Sequence, residues 1–299
     1  MVGIVESAST LTLAYAVIQE NKALVKAEIM AEAETLAAKQ EALANFVREN
    51  DLAGVPCTYV LDATHYSLNL VDAPAVAKDE VSRAIRWLIK DSISYPIEEA
   101  VIDTFELPFV RAKDSMKMIY AVAMQKALIP KIEELISNSG LVLTYIDIPE
   151  LVLKNIISRR PPELKSCALV QLWEKGGKII LCRGDEICIT RSFELKLENL
   201  GKEPEQDSGT LESLALEVQR SFDYINSVFK QSIQNTILLA PTKIDKELIA
   251  QSLKNSLGSE VYPIKITEYL TIEKPIAEEK EPAFLLAIAA SLRQGSVAL

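Results

Sequence analysis

The 299-residue chain has one histidine and four cysteines, and none of them is placed for obvious chemistry. Cys57, Cys167, Cys182 and Cys188 lack the spacing of a zinc site and are not crowded into a small secreted domain, which predicts reduced thiols in a cytosolic protein. No apolar run approaches the roughly 20 residues that cross a bilayer, so no direct membrane span is expected. The N-terminus has no basic-then-apolar leader pattern. Positive charge is scarce as well: 32 Lys and Arg stand against 42 Asp and Glu, a net charge of −10. Nucleic acid and anionic membrane both demand clustered cations, so neither is expected as a direct partner. The remaining composition, 49% hydrophobic and 25% charged, is that of a globular protein long enough for two domains.

A more local absence lies in Val2–Tyr15, VGIVESASTLTLAY. Val2 and Ile4, then Leu11, Leu13 and Tyr15, alternate with period two around Glu6-Ser7-Ala8-Ser9, which is a hairpin signal. Such a hairpin cradles phosphate when its turn supplies glycine, free backbone N–H groups, a carboxylate for the metal and a lysine. This turn has no glycine, its one acid (Glu6) is out of step, and Thr12 stands where a lysine is wanted.

The rest of the chain alternates strand and helix, which predicts an α/β fold. Asn21-Lys22 reads as a turn, 23–31 as a third strand, 34–49 as a helix and 57–62 as a buried strand. A second pattern starts near His65: a strand over 67–71, a helix over 76–91, strands over 99–105 and 116–124, a helix over 125–137, a strand over 141–146 and a helix over 148–157. In the helix over 76–91, Val81, Ile85, Leu88 and Ile89 form an apolar stripe, with Trp87 on the face of Arg83 and Lys90. Arg159-Arg160-Pro161-Pro162 marks a boundary, because paired prolines cannot continue a helix. Strands are then expected over 168–173, 179–183 and 187–195, with turns at 175–178 and 184–185. A polar loop over 201–209 precedes a long helix over 211–230, a strand over 236–240, a helix over 244–257 and a strand over 261–266. Residues 278–281 read as a solvated acidic loop, and 283–292 as a buried, nearly all-apolar helix.

Four stretches carry a resemblance: Gly3–Tyr15 (against GIDIGSTSVKLLEL), AIRWLIKDSISYPIEEAVID over 84–103 (against AIRWEAEQYIPFPIEEVVLD), Ser139-Gly140-Leu141 (against AGL) and 287–293 (against AIGLALR). Through them the chain resembles, nearly end to end, the PilM-like/MshI family of cytoplasmic proteins of type IV pilus, MSHA pilus and type II secretion assembly. The resemblance implies an actin/Hsp70-like two-lobed α/β fold of duplicated ribonuclease-H-like domains. Lobe one would span 1–160, with 63–125 as an inserted subdomain, and lobe two 161–299.

The resemblance also points to its own departures. The family pattern has Asp, Gly and Lys where Val5, Ser7 and Thr12 stand, in a turn that here also contains Ser9 and Thr10. Asp-x-Gly is replaced by Gln171-Leu172-Trp173, and a Gly-Gly adenosine loop by Ala240-Pro241. Without the carboxylates Mg²⁺ has no protein anchor, without glycine the backbone stands farther from phosphate, and Pro241 has no N–H. The implied reading is a pseudo-ATPase with no cofactor and no metal site, comparable to the cytoplasmic domain of GspL.

As partner, the resemblance implies the cytoplasmic tail of a PilN-like (MshJ-like) bitopic inner-membrane protein, bound as an extended peptide between the first subdomain and its insertion. The assembly ATPase is a further contact. The protein would then be cytoplasmic and peripheral to the inner membrane. Trp87, Tyr95, Tyr66 and Arg83 are the candidate partner-binding residues. Trp87 is either covered by another subdomain or exposed for a partner, since tryptophan suits both roles. The alternative is an ATP-binding switch with weak or no hydrolysis, in which ATP and Mg²⁺ would be ligands. A small-molecule kinase would need a catalytic acid that the sequence does not offer.

The remaining features read as structural. His65 has no matched nucleophile and acid and is expected in a loop. Cys182 and Cys188 are expected as core thiols, and Glu98-Glu99 would point to opposite faces of a strand. Lys175-Gly176-Gly177-Lys178 lacks Walker spacing and reads as a plain turn.

Overall fold

The computed structural model describes residues 1–294 apart from 20–21, 78–79, 165, 199, 201–203, 234–235 and 269. The expected turn at Asn21 and the first residues of the loop over 201–209 lie outside the described residues. The chain forms two compact units, Met1–Leu153 with the segment from Leu286, and Lys154–Leu285.

In the first unit, β1 (Val2–Glu6), β2 (Thr10–Gln19) and β3 (Lys22–Glu32) form an antiparallel meander. Helix α1 (Leu36–Glu49) leads to β4 (Pro56–Val60), which pairs parallel with β1. Thr35 caps α1, its hydroxyl accepting from the Ala38 N–H at 3.2 Å. Leu43, Phe46 and Val47 recur at helical spacing and bury against Val2, Ile4, Leu11 and Leu13 of the sheet.

The chain then leaves this sheet for β5 (Tyr66–Asp72), α2 (Val81–Ile89), β6 (Ala100–Val110) and β7 (Lys117–Gln125), in the antiparallel order β5-β7-β6. The period of two in β7 explains the packing of this insertion. Ile119, Ala121 and Ala123 meet Ile85 and Ile89 of α2, while Val122 and Met124 join the main core. Helix α2 is shorter at its N-terminus than 76–91, and Leu88 is 51% exposed, off the stripe that the sequence assigns it to. Glu98 and Glu99 lie in a 3₁₀ turn (Ile97–Glu99) rather than a strand, and both are exposed. Helix α3 (Leu128–Ile136) returns to the main core, β8 (Val142–Asp147) pairs parallel with β4, and α4 (Pro149–Ile157) carries the chain out of the unit.

The second unit repeats the meander with β9 (Cys167–Trp173), β10 (Gly176–Arg183) and β11 (Glu186–Glu194). Helix α5 (Pro204–Phe229), β12 (Thr236–Leu239), α6 (Lys246–Leu257) and β13 (Glu260–Pro263) complete it, in the sheet order β11-β10-β9-β12-β13. The turn expected at 175–178 is only Glu174-Lys175, since Trp173 pairs with Gly176. The glycines belong to β10 because it is crowded: a Cβ on Gly177 would stand 2.7 Å from Leu172 Cδ2 and 2.8 Å from the Gln171 carbonyl. Cys167 faces Cys182 across the β9–β10 pair, and all four thiols are free and buried. Residues 204–209, expected as loop, are helical.

The acidic stretch 278–281 is exposed over 278–280, as expected, but it is helical rather than a loop. It is a 3₁₀ turn (Glu278–Lys280) running into α7 (Glu281–Ser291), and the buried Glu281 carboxylate accepts from the Ile266 N–H at 3.1 Å. From Leu286 onward the chain belongs to the first unit, although the sequence division kept it with the second and placed the boundary at 160. Gly3 accounts for the difference: a Cβ there would collide with the Ala287 carbonyl, so only glycine lets α7 lie against β1.

Candidate functional site

The β1–β2 turn satisfies its own hydrogen bonds. The Ser7 N–H donates to the Thr10 carbonyl at 2.9 Å, and the Thr10 N–H to Ser7 Oγ at 3.0 Å. The Ser7 and Thr10 hydroxyls meet at 2.7 Å. Two N–H groups that a phosphate could use are therefore engaged inside the turn. Ser9 is exposed and its carbonyl accepts from the Ala33 N–H, while Val5 pairs in register with the buried Thr12.

A lysine does reach this turn, from another element. Lys39 of α1 is only 6% exposed; its Nζ lies 2.9 Å from Glu6 Oε1 and donates to the Ser7 carbonyl at 2.6 Å. The Tyr59 hydroxyl donates to Glu6 Oε2 at 2.7 Å. Burial, and then the bond to Glu6, push the Tyr59 phenol far above the ordinary tyrosine range. Glu6, out of step for a metal, is thus paired on both oxygens. The sequence reading passed over Lys39, although it stands three residues after Leu36 and four before Leu43, on the apolar stripe of α1.

Beside this network opens a groove of about 720 Å³ in the first unit. Leu36 of α1, Leu61 after β4, and Leu128, Ile132 and Leu135 of α3 supply its apolar lining, with Lys131 and Glu134 as charged members. Thr64 and His65, where the chain enters the insertion, and Leu128, just after it returns, place the groove at the junction of insertion and main sheet. Burial would raise the Asp62 carboxyl, but hydrogen bonds from the Thr64 hydroxyl (2.6 Å) and N–H (2.9 Å), with His65 alongside, leave it below the usual carboxylate range. His65 sits in the expected loop, its N–H donating to the Asp62 carbonyl at 2.9 Å.

The four candidate partner residues separate. Trp87 is 69% exposed, with Lys90 Nζ 5.0 Å from its ring centre, and Arg83 is exposed on the same helix. Tyr95 is half-buried in the turn after α2, its hydroxyl buried without a hydrogen-bond partner among the described residues; burial raises its phenol. Arg86 holds that turn by donating to the Ile97 (2.9 Å) and Ala100 (3.2 Å) carbonyls. Tyr66 instead faces inward, its hydroxyl donating to the buried Glu150 at 2.7 Å, which ties the insertion to α4.

In the second unit, Gln171, Trp173 and Pro241 line one groove of about 470 Å³, with Ile244 and Pro282. The Ala240 N–H is spent on the Val170 carbonyl at 2.9 Å and Pro241 has none, so these two residues offer no free donor. Among the described residues no group of three or more His, Cys, Asp or Glu could hold a metal ion, and no helix is long and apolar enough to cross a membrane.

The sequence matches no family model and no curated relative. Solved structures do match. A chain of the PilM–PilN type IV pilus biogenesis complex aligns with a TM-score of 0.72 at 18% identity, over 97% of each chain. The cytoplasmic domain of EpsL, an inner-membrane component of the type II secretion system of Vibrio cholerae, gives 0.51 at 10% identity over 98% of this chain and 95% of its own. A protein with an actin-like ATPase fold from Bacteroides thetaiotaomicron gives 0.50 at 12% identity, over 95% of this chain and 94% of its own. The chain therefore has the actin-like α/β fold of these PilM-complex and EpsL structures, as its sequence resemblance implies.

Proposed function

We propose that this protein is a PilM-like, non-catalytic scaffold of a type IV pilus assembly platform, of the MSHA type, that holds the cytoplasmic tail of a PilN-like (MshJ-like) bitopic inner-membrane protein. The observation that carries this reading is the groove at the junction of insertion and main sheet: its leucine- and isoleucine-rich wall suits an extended tail that inserts aliphatic side chains. Burying one such side chain contributes about 1.5–3 kcal/mol. The fold shared with a chain of the PilM–PilN complex supports a partner of this class. Trp87 and Leu88, exposed together on α2, form a second apolar contact, for the same tail or for the assembly ATPase. The protein then works in the cytoplasm and is held at the inner membrane through its partner.

The self-closed β1–β2 turn and the donor-free Ala240-Pro241 pair support the pseudo-ATPase part of the proposal. One observation favours the ATP-binding switch: the second-unit groove keeps about 470 Å³ of open space at two of the three family nucleotide positions. Melting with and without millimolar ATP and Mg²⁺ separates the two readings, because a ligand that binds only the folded state raises its melting temperature. The scaffold reading expects no shift. Titration of tail peptides from co-encoded bitopic proteins against wild type and Leu36→Glu tests the groove, since Leu36 is exposed and its replacement leaves the core intact.

A further inference from the structure

The insertion meets the main core through apolar packing: Tyr66 and Leu68 of β5, Val101 and Phe105 of β6, and Val122 and Met124 of β7 all join it. Such contacts hold two layers together but are not directional, so alone they let one layer rock on the other. Tyr66 adds a directional contact. Its hydroxyl donates to Glu150 Oε2 at 2.7 Å, and Glu150 is only 3% exposed. Burying a carboxylate is costly, and a hydrogen bond offsets that cost only while its geometry is held. Burial pushes the Tyr66 phenol far above the ordinary tyrosine range, so the hydroxyl remains a donor. Both ends of this bond stand next to the groove. Tyr66 directly follows Thr64 and His65, which line it. Glu150 lies in the first turn of α4, three residues after Asp147, whose carbonyl accepts from the N–H of the groove residue Leu61 at 2.8 Å.

We propose that the Tyr66–Glu150 bond is a strut: it sets the angle of the insertion on the main sheet, and with it the width of the groove, so that Tyr66 governs affinity for the tail without touching it. Tyr66 is thus a positioning residue, set between the chain entering the insertion and the helix that follows β8. The strut stands on the geometry alone, whereas its effect on affinity rests on the reading of the groove as the tail site.

The test is the distance between spin labels on two exposed positions, Lys113→Cys at the tip of the insertion and Glu41→Cys on α1, in a chain whose four native thiols are buried. With Tyr66 and Glu150 in place one narrow distance distribution is expected. Tyr66→Phe, which loses only the hydroxyl, is expected to broaden or shift it. Glu150→Gln keeps an oxygen that accepts from the phenol and is expected to keep the narrow distribution. Titration of a co-encoded tail peptide against the unlabelled proteins should follow the same order. Wild type and Glu150→Gln bind alike, and Tyr66→Phe binds about tenfold more weakly, because fewer molecules hold the groove at its competent width. A merely structural role would lower the melting temperature and leave the distances alone. Unchanged distances in Tyr66→Phe would therefore overturn the proposal, as would distances that move while affinity stays. A Glu150→Gln chain that broadens as Tyr66→Phe does would overturn it too. Peptide that binds none of the three proteins would overturn the tail reading alone, and the distances would still decide the strut.

Discussion

The two meanders, β1–β3 and β9–β11, share a topology and differ in how they treat their first turn. The β1–β2 turn is polar and closed: the Ser7 and Thr10 hydroxyls bond each other, and a buried ammonium draws Glu6 and Ser7 together. The β9–β10 turn is two residues long, and the groove at its foot is lined by Trp173, Pro241 and Pro282 with no buried charge among its lining residues. The same meander thus closes its first turn with internal hydrogen bonds in one unit and leaves an open groove beside it in the other. Backbone geometry is kept in both, because the core depends on the strands and not on the turn chemistry.

Glycine gives the sharpest way to break this comparison. Gly3→Ala sets a methyl group against the Ala287 carbonyl, which is helix backbone and cannot yield, so a loss of about 3 kcal/mol is expected in chemical denaturation. Gly177→Ala in the second meander meets the Phe193 and Leu172 side chains, which can turn aside, as well as the Gln171 carbonyl; a smaller loss of about 1–2 kcal/mol is expected. Equal losses would show that the two sheets are packed alike. Ala290→Leu, fully buried in α7, should cost on the order of 1–3 kcal/mol by overpacking. A variant that melts like the wild type would remove α7 from the core.

A smaller effect concerns pH. Burial lifts the Asp147 carboxyl above its ordinary value, although Arg293 lies 3.6 Å away and favours the charged form. The folded chain therefore holds this proton more tightly than the unfolded chain does. That contribution is fully present below the unfolded value and is lost as pH rises through the raised one. Asp147→Asn should flatten the stability–pH curve in that window, and an unchanged curve would place the slope on another group.

The fold was legible because its elements follow simple periods: β7 alternates cleanly between two cores, and α1 carries its stripe at helical spacing. The site was legible only in part. Pro241 lacks a donor by residue type, but Gln171 marks a missing carboxylate only when set against the family pattern that the sequence resembles. Lys39 gives no such signal, since a lysine in a helix that also carries Glu41, Arg48 and Glu49 reads as solvated until its position on the apolar stripe is counted. The Gly176-Gly177 pair reads as a turn because glycine signals turns and crowded strands alike, and only the register across β9 and β11 separates the two. Tyr66 shows the same limit: its inward bond to Glu150 spans 84 positions, which no local pattern encodes.

The central claim is that the groove of the first unit, and not a nucleotide, defines what this protein does. Calorimetric titration of a co-encoded tail peptide against wild type, Leu36→Glu and Trp87→Ala, each with and without ATP and Mg²⁺, tests it most directly, with circular dichroism as the fold control. The account predicts binding to wild type that ATP leaves unchanged, a large loss of affinity in Leu36→Glu and a smaller one in Trp87→Ala. Equal affinity for all three proteins, or binding that appears only with ATP, would contradict it.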